Sequence, residues 1–248
     1  IDERSLINLE IINEILNSFK KILYPSLYYE MNKESSENYI EKEINTLYKN
    51  LEKCIDATNL DHQIKNTVES IIEHIPNLKN KLDKDIIAIY EGDPAAKNHQ
   101  EIILAYASFE AIMGYRIAHL LDSHKLELIA RVCSGIIHRS TGIDIHPKAS
   151  IGEYFCIDHG TGIVIGETAI IGNRVKMYQG VTIGALSVQE KESNQKRHPS
   201  IENNVTIYAG ATILGGNTVI GSNSIISGNI WITKSIPNNS KIMFKGSN

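Results

Sequence analysis

The sequence has few cysteines, no long hydrophobic run and no N-terminal stretch that resembles a secretory signal. Each of these shortages excludes a class of protein. The 248 residues include three cysteines, Cys54, Cys133 and Cys156, which are odd in number and far apart. They fit neither a disulfide framework nor a clustered zinc site and favour a reducing compartment. No run approaches the roughly 18 apolar residues of a membrane span, and the first residues lack a secretory-signal profile. We therefore expect a cytoplasmic protein that spans no membrane.

Glycine divides the chain near its midpoint. Only Gly92 and Gly114 of the 17 glycines precede residue 125, so the two halves must fold by different rules. We expect an N-terminal helical domain over 1–140, a repeat domain over 141–237 and a C-terminal tail over 238–248. The second half has 12 Lys and Arg against 8 Asp and Glu, which favours an anionic ligand but gives no reason to propose nucleic acid.

The first half has the period of amphipathic helices. Its apolar residues recur at steps of three and four, as in Leu9, Ile12, Leu16, Phe19 and Leu23. A further helix should begin at Asp93-Pro94, because an acidic N-cap followed by proline is a typical helix start. Asp93 could also bind a ligand, and the two roles do not exclude each other.

The second half has a period of six, which is neither that of a helix nor that of a simple strand. Aliphatic residues stand six apart over 145–157, resume after a two-residue slip over 165–183, and continue after a polar loop at 201, 207, 213, 219, 225 and 231. Glycine follows several of them and makes room at the turns. The pattern predicts a hexapeptide-repeat parallel β-helix with three hexads in each triangular coil. The alternative is a β-sandwich with irregular turns.

Two disturbances of the repeat mark candidate sites, since a solenoid is a scaffold and its function must be sought where the repeat breaks. The first is the slip at 156–162. The second is the polar loop 185–199, and long loops in solenoids usually cover a site. The ionisable residues concentrated on the disturbed coils are Asp144, His146, Asp158, His159, Arg197 and His198.

Several motifs between about Asp93 and Pro237 resemble those of the serine O-acetyltransferases, which are hexapeptide-repeat acyltransferases. The most specific is DHGTGIVIGET at 158–168, and the others are IDIHP at 143–147, QGVTIG at 179–184, RHP at 197–199 and IYAGA at 207–211. The resemblance implies an α + β protein in which an all-helical domain precedes a left-handed parallel β-helix. It also implies transfer of acetyl from acetyl-CoA to the hydroxyl of L-serine, the first step of cysteine biosynthesis from serine.

The resemblance implies catalytic roles for two residues. His159 would be the general base that removes the proton of the serine hydroxyl, and Asp144 would orient its ring and favour the imidazolium. The two lie 15 residues apart, which after the slip approximates one coil, so they could occupy adjacent rungs. A neutral imidazole with a pKa near 6.5 suits proton abstraction at neutral pH.

The same resemblance implies binding roles. The ammonium group of serine would be held by Asp93 and Asp158, and its carboxylate by Arg197, with His198 lining the pocket. Acetyl-CoA would lie in a groove between neighbouring prisms and approach the small residues Gly184, Ala209 and Gly228, with Gly184 also a candidate oxyanion donor. One prism face cannot enclose two substrates, so the family model implies a homotrimer, or a dimer of trimers. No metal is implied.

The chain departs from the family pattern in three places. The loop before Arg197 is longer than usual, and Gly184 is followed by Ala185 rather than glycine. The extended tail with which many relatives dock onto cysteine synthase is absent or removed. The resemblance therefore does not imply that complex here, nor cysteine feedback inhibition. Three alternatives remain: another hydroxyl acceptor such as a sugar or homoserine, a zinc-dependent lyase using His146, His159 and His198, and an inactive structural β-helix.

Overall fold

The computed structural model describes residues 8–28, 33–58, 63–186 and 195–243. In it the protein divides into two compact units. The first unit comprises Ile1–Asn80 and Arg116–Ile136, and the second comprises Lys81–Tyr115 and Ile137–Asn248. The second unit therefore combines the repeats with a helical segment from the N-terminal half. The domain boundaries at 140 and 237 stay predictions.

The N-terminal half is helical, as its periodicity predicts. Within the described residues its α-helices are α1 (Leu9–Leu23), α2 (Lys33–Thr58), α3 (Ile64–Glu73), α4 (Ile75–Gly92), α5 (His99–Ala105), α6 (Ala107–Ser123) and α7 (Glu127–Thr141). In α1 the side chain of Asn8 accepts a hydrogen bond from the Glu10 N–H at 2.8 Å and caps the helix. Ile12, Leu16 and Phe19 form its buried face. None of the helices in these residues combines the length and apolarity that a bilayer crossing requires.

The predicted helix start at Asp93 is wrong. α4 ends at Gly92, and α5 begins only at His99. Asn98 is the N-cap, since its side chain accepts a hydrogen bond from the Glu101 N–H at 2.8 Å. Asparagine satisfies this role as well as aspartate does, so the residue pattern around Asp93 was not decisive. Asp93 instead closes a local turn by accepting the Ala95 N–H at 2.8 Å.

A left-handed parallel β-helix forms the C-terminal half, and the predicted hexapeptide fold is confirmed. The strands within the described residues are β1 (Asp144–Ile145), β2 (Ser150–Ile151), β3 (Cys156–Asp158), β4 (Val164–Ile165), β5 (Ile170–Ile171), β6 (Lys176–Tyr178), β7 (Thr182–Gly184), β8 (Ser200–Ile201), β9 (Thr206–Ile207), β10 (Thr212–Leu214), β11 (Val219–Ile220), β12 (Ile225–Ile226), β13 (Trp231–Ile232) and β14 (Lys241–Ile242). They form three parallel sheets: the first has the order β1-β4-β7-β10-β13, the second β2-β5-β8-β11 and the third β3-β6-β9-β12-β14. β14 lies within the segment 238–248 that the sequence separates as a tail.

The core of the β-helix follows the predicted hexads only as far as Ile213. The aliphatic positions from Ile145 to Ile213 are buried, but beyond them the inward residues are Ile220, Ile226 and Ile232. The predicted positions 219, 225 and 231 were therefore wrong by one residue, and Trp231 is 69% exposed. The corner between β10 and β11 holds one extra residue, and a one-residue shift turns every following side chain to the other face.

The predicted slip after β3 is confirmed as a distorted corner. His159 has φ 59°, Gly160 has φ 101° and Gly162 has φ 81°, all in the left-handed region. Glycine is needed at 160, because a Cβ there would lie 2.6 Å from Ile143 Cδ1 and 2.7 Å from Ile157 Cγ2. The backbone therefore turns sharply at His159 and Gly160.

Candidate active site

The corner formed by residues 159–163, which we call the His159 corner, presents an imidazole to solvent. The His159 side chain is 76% exposed, and its Nε2 lies 3.8 Å from Asp158 Oδ1. Asp158 ends β3 and is only 16% exposed. The left-handed backbone of His159 recurs at other corners of the β-helix, at Tyr154, Arg174 and Asn204, so the conformation shapes the corner without distinguishing it. The corner thus combines a reachable base with a partly buried carboxylate.

Asp93 belongs to the same neighbourhood. Tyr106 Oη donates a hydrogen bond to Asp93 Oδ2 at 2.7 Å, and this bond lowers the pKa of Asp93. The Ala95 N–H adds to the lowering, as do the charges of Lys176 and His159. The same Tyr106 bond raises the pKa of the phenol to about 12. Asp93 is therefore held as a carboxylate within electrostatic reach of His159.

Lys176 is the residue of this site that sequence reasoning missed. Its Nζ lies 2.9 Å from Asp158 Oδ2 and donates a hydrogen bond to the Gly92 carbonyl at 2.6 Å. Burial alone would lower the pKa of Lys176, but hydrogen bonds to Tyr178 and Asp158 raise it to about 12. A lysine at an outward strand position is ordinary in a solenoid, so nothing in the repeat pattern distinguished it.

Asp144 lies on β1, one coil before β4, and its partner is His138. The His138 Nδ1 and Asp144 Oδ2 atoms are 4.0 Å apart. In the described part of the chain no hydrogen bond or ion pair joins Asp144 to His159, and the carboxylate beside the His159 ring is that of Asp158. Within one chain the expected Asp144–His159 pair is therefore not formed.

A second cluster of charged and polar side chains surrounds residues 166–169, which we call the Glu167 corner. Arg197 donates a hydrogen bond to Glu167. Burial opposes ionisation of Glu167, but the Arg197 bond together with the charges of His146, Arg197 and Lys148 outweighs it and lowers the pKa of this carboxyl. Lys196 Nζ donates to the carbonyls of Thr168 at 3.0 Å and of His198 at 2.6 Å. The bonds to Glu167 and Thr168 fasten the returning end of the 185–199 loop to the corner between β4 and β5. Residues 187–194 of the loop lie outside the described residues.

His198 is buried within this second cluster. Its Nδ1 accepts the Thr168 N–H at 3.1 Å, so the proton of the neutral ring is on Nε2. Burial is the main cause that lowers the pKa of His198, to about 4, and the charge of Arg197 adds to it. At neutral pH this histidine is therefore an uncharged hydrogen-bonding group.

The candidate substrate residues thus lie at two different corners of the β-helix. The junction between the sheet of β3 and the sheet of β4 holds Asp158 and His159, with Asp93 close to them. The junction between the sheet of β4 and the sheet of β5 holds Arg197 and His198. The chain brings the carboxylates and the imidazole together but places the guanidinium apart from them.

The three small residues expected to lie beside acetyl-CoA are also divided between two places on the prism. Ala209 and Gly228 are neighbours on the same edge of the prism as His159, since a Cβ on Gly228 would lie 2.8 Å from the Ala209 oxygen. Gly184 ends β7 and faces Leu214, whose Cδ2 would lie 2.9 Å from an added Cβ. Two of the three residues therefore line one edge. Across the described residues, no group of three or more His, Cys, Asp or Glu side chains is arranged to hold a metal ion.

Comparisons with known proteins agree on one family. The model of the serine acetyltransferase N-terminal domain matches residues 45–114. A plasmid serine acetyltransferase of Synechococcus elongatus is 42% identical over 188 residues, which cover 74% of this chain and 59% of that protein. The chain thus spans little more than half the length of this curated relative.

Solved structures match over most of their length. Serine acetyltransferase isoform 3 of Entamoeba histolytica, in complex with cysteine, has a TM-score of 0.86 at 36% identity, covering 95% of this chain and 82% of that one. A serine acetyltransferase in complex with CoA has a TM-score of 0.63 at 28% identity, covering 94% and 95%. The similarity therefore includes both the helical half and the β-helix.

Proposed function

Because the chain belongs to the serine acetyltransferase family, we propose that it transfers the acetyl group of acetyl-CoA to the hydroxyl of L-serine. The products are O-acetyl-L-serine and CoA, and the reaction begins cysteine biosynthesis from serine. The observation that carries the proposal is the exposed His159 imidazole on a distorted corner, beside the carboxylate of Asp158 and within reach of that of Asp93. A cytoplasmic location, expected from the few scattered cysteines, belongs to the same proposal.

His159 acts as the general base. Its unprotonated nitrogen takes the proton of the serine hydroxyl while the oxygen attacks the thioester carbonyl, and the imidazolium then returns the proton to the departing CoA sulfur. This direct transfer needs no covalent enzyme intermediate. That Asp144 orients the His159 ring stays a prediction. Within one chain, the carboxylate that can stabilise the imidazolium is that of Asp158.

The two ends of the amino acid require opposite charges. Asp93 and Asp158 supply negative charge for the ammonium, and the lowered pKa of Asp93 keeps its carboxyl ionised. Arg197 supplies the guanidinium for the carboxylate, held in place by Glu167. His198 lines the pocket as a neutral donor through its Nε2–H.

The separation of these groups on different corners supports a homotrimer. In a three-fold arrangement of prisms the His159 corner of one copy can face the Glu167 corner of the next, which completes the pocket. Acetyl-CoA then lies in the groove between copies, beside Ala209 and Gly228, with Gly184 as the candidate oxyanion donor. A dimer of trimers is the larger assembly that we propose.

Replacing His159 tests the proposed reaction. His159→Asn is expected to lower kcat by about 10² to 10⁴, because the base is lost, while asparagine tolerates the left-handed backbone that position 159 requires. The measurement is serine-dependent release of CoA thiol, with the thermal midpoint as a check on folding.

His74→Asn is the matched control, since it makes the same substitution at an exposed histidine of the first unit. It should retain the native rate. Turnover by His159→Asn within about tenfold of the native rate would rule out the base assignment.

A further inference from the structure

Lys176 lies in the cluster that it forms with Asp93 and Asp158, which we call the acidic site. Its side chain is 18% exposed and is held from two sides, by Asp158 Oδ2 at 2.9 Å and by the Gly92 carbonyl at 2.6 Å. The Nζ also lies 4.5 Å from the centre of the Tyr178 ring, a cation–π distance. A lysine with this many partners is fixed in place rather than solvated.

The bond to Gly92 connects the β-helix to the end of a helix. Gly92 is the last residue of α4, where backbone carbonyls lack intrahelical partners and the macrodipole favours a cation. Gly92 also packs closely, since a Cβ there would lie 3.0 Å from Cys156 Sγ and 3.6 Å from Lys176 Nζ. Lys176 therefore caps α4 and fastens its end against β3 and β6.

The residue that follows this capped end is Asp93. The turn 93–98 has no regular secondary structure, so the direction in which Asp93 leaves α4 depends on how the helix end is held. Lys176 also acts on two carboxylates, because it is paired with Asp158 and its charge lowers the pKa of Asp93. Without this cation the two like charges would repel each other.

We propose that Lys176 is a positioning residue for the acceptor substrate, bridging the Gly92 carbonyl and Asp158 so that the Asp93 carboxylate is held where it recognises the amino group. The inference rests on the proposed function and extends it. The site carries two carboxylates and one lysine, which leaves one negative charge to match one acceptor ammonium. Lys176 thus contributes to selecting acceptors that carry an α-amino group.

The experiment compares L-serine with 3-hydroxypropionate, which lacks only the amino group. In Lys176→Met the KM for serine should rise about tenfold, as for a lost charge-assisted positioning bond, while the KM for acetyl-CoA stays within about twofold of native. The preference for serine, as the ratio of the two kcat/KM values, should fall about tenfold. Lys176→Arg keeps the charge and should recover part of that preference.

Lys84→Met is the matched control. Lys84 also connects α4 to the β-helix, through an ion pair of 2.9 Å with Glu153, but it lies eight residues before the helix end at Gly92. Among the described residues it forms no hydrogen bond or ion pair with the acidic site. It should leave the serine preference unchanged. A merely structural role of Lys176 predicts equal losses with both acceptors, and an unchanged preference in Lys176→Met would overturn the proposal.

Amide hydrogen exchange separates this inference from the proposed function. Exchange over residues 93–98 should be faster in Lys176→Met and unchanged in Lys84→Met, whether or not serine is the substrate. Native protein that releases no CoA with serine would defeat the proposed function alone. Unchanged exchange over 93–98 in Lys176→Met would defeat the positioning role.

Discussion

The neutral state of His198 is fixed by its surroundings. The Thr168 N–H can only donate, so Nδ1 must accept, and protonation of the ring would break the bond. The nearby Arg197 adds electrostatic repulsion to the cost of burying a second positive charge. The ring therefore stabilises the loop end only while it is uncharged.

This arrangement predicts an acid-sensitive contribution to stability. The pKa of His198 is about 4 in the folded protein against 6.5 for an ordinary histidine, so the unfolded chain binds more protons between these values. The contribution is complete above pH 6.5 and is lost as the pH falls towards 4; the shift corresponds to about 3 kcal/mol at most.

The variant His198→Asn isolates the effect, because the Asn oxygen can accept the Thr168 N–H but does not titrate. Urea denaturation across this pH range should show a smaller loss of stability on acidification in the variant than in the native protein. Parallel pH profiles would show that His198 is not responsible.

At the scale of elements, one corner of the β-helix repeats a glycine–asparagine pair. Gly152 and Gly172 lie beneath Asn173 and Asn203 of the following coil. Each asparagine side chain accepts the N–H of the residue that follows the glycine below. Glu153 N donates to Asn173 Oδ1 at 2.8 Å, and Asn173 N donates to Asn203 Oδ1 at 2.8 Å. Glycine is therefore needed where an asparagine stands above it.

Gly172→Ala should destabilise the protein by about 1 to 3 kcal/mol, the usual cost of overpacking. The added Cβ would lie 2.5 Å from Asn203 Oδ1 and 2.9 Å from the Asn203 nitrogen, which is backbone and cannot swing away. Urea denaturation measures the change. The double variant Gly172→Ala/Asn203→Ser should recover part of the loss, because Ser222 stands above a non-glycine residue, Glu202, at the equivalent corner. Native-like stability of Gly172→Ala would contradict the steric argument.

The period of six predicted the fold because each aliphatic residue at an inward position is buried by its own coil, whatever happens elsewhere in the chain. The prediction failed beyond Ile213, where a single extra corner residue shifts the register without leaving a gap in the apolar pattern. The helix start at Asp93 failed for a related reason, since Asn98 offers an equally good cap six residues away from the true end of α4. Local pattern predicts element type better than element boundary.

Within the β-helix the site was predictable where the repeat itself is disturbed, whereas Asp93, outside the repeats, was predicted from the family resemblance. His159 and Asp158 were found because they coincide with the slip, which the structure shows as left-handed backbone. Lys176 was missed because its role depends on a bond to Gly92, 84 residues earlier in the chain, and no periodicity within the repeats reports such a contact. The partners of Asp144 and Arg197 likewise depend on tertiary contacts.

At the scale of the whole molecule, one chain holds the two halves of the proposed pocket on different corners of the β-helix. The His159 corner carries the base and the carboxylates, and the Glu167 corner carries Arg197 and His198. A closed ring of copies brings unlike corners together at every interface. Each protomer would then supply one half of each of two sites.

Mixed oligomers test this division of the site between copies. His159→Asn and Arg197→Ala should each be severely impaired alone, but co-expressed copies carrying different tags and purified through both should regain activity. The interface between the His159 corner of an Arg197→Ala copy and the Glu167 corner of a His159→Asn copy contains both native groups. Every trimer that holds both variants has one such interface in three, so about a third of the sites would be restored. Separately purified variants, mixed without reassembly, are the control. Co-assembled samples no more active than that control would place both groups of each site within a single chain.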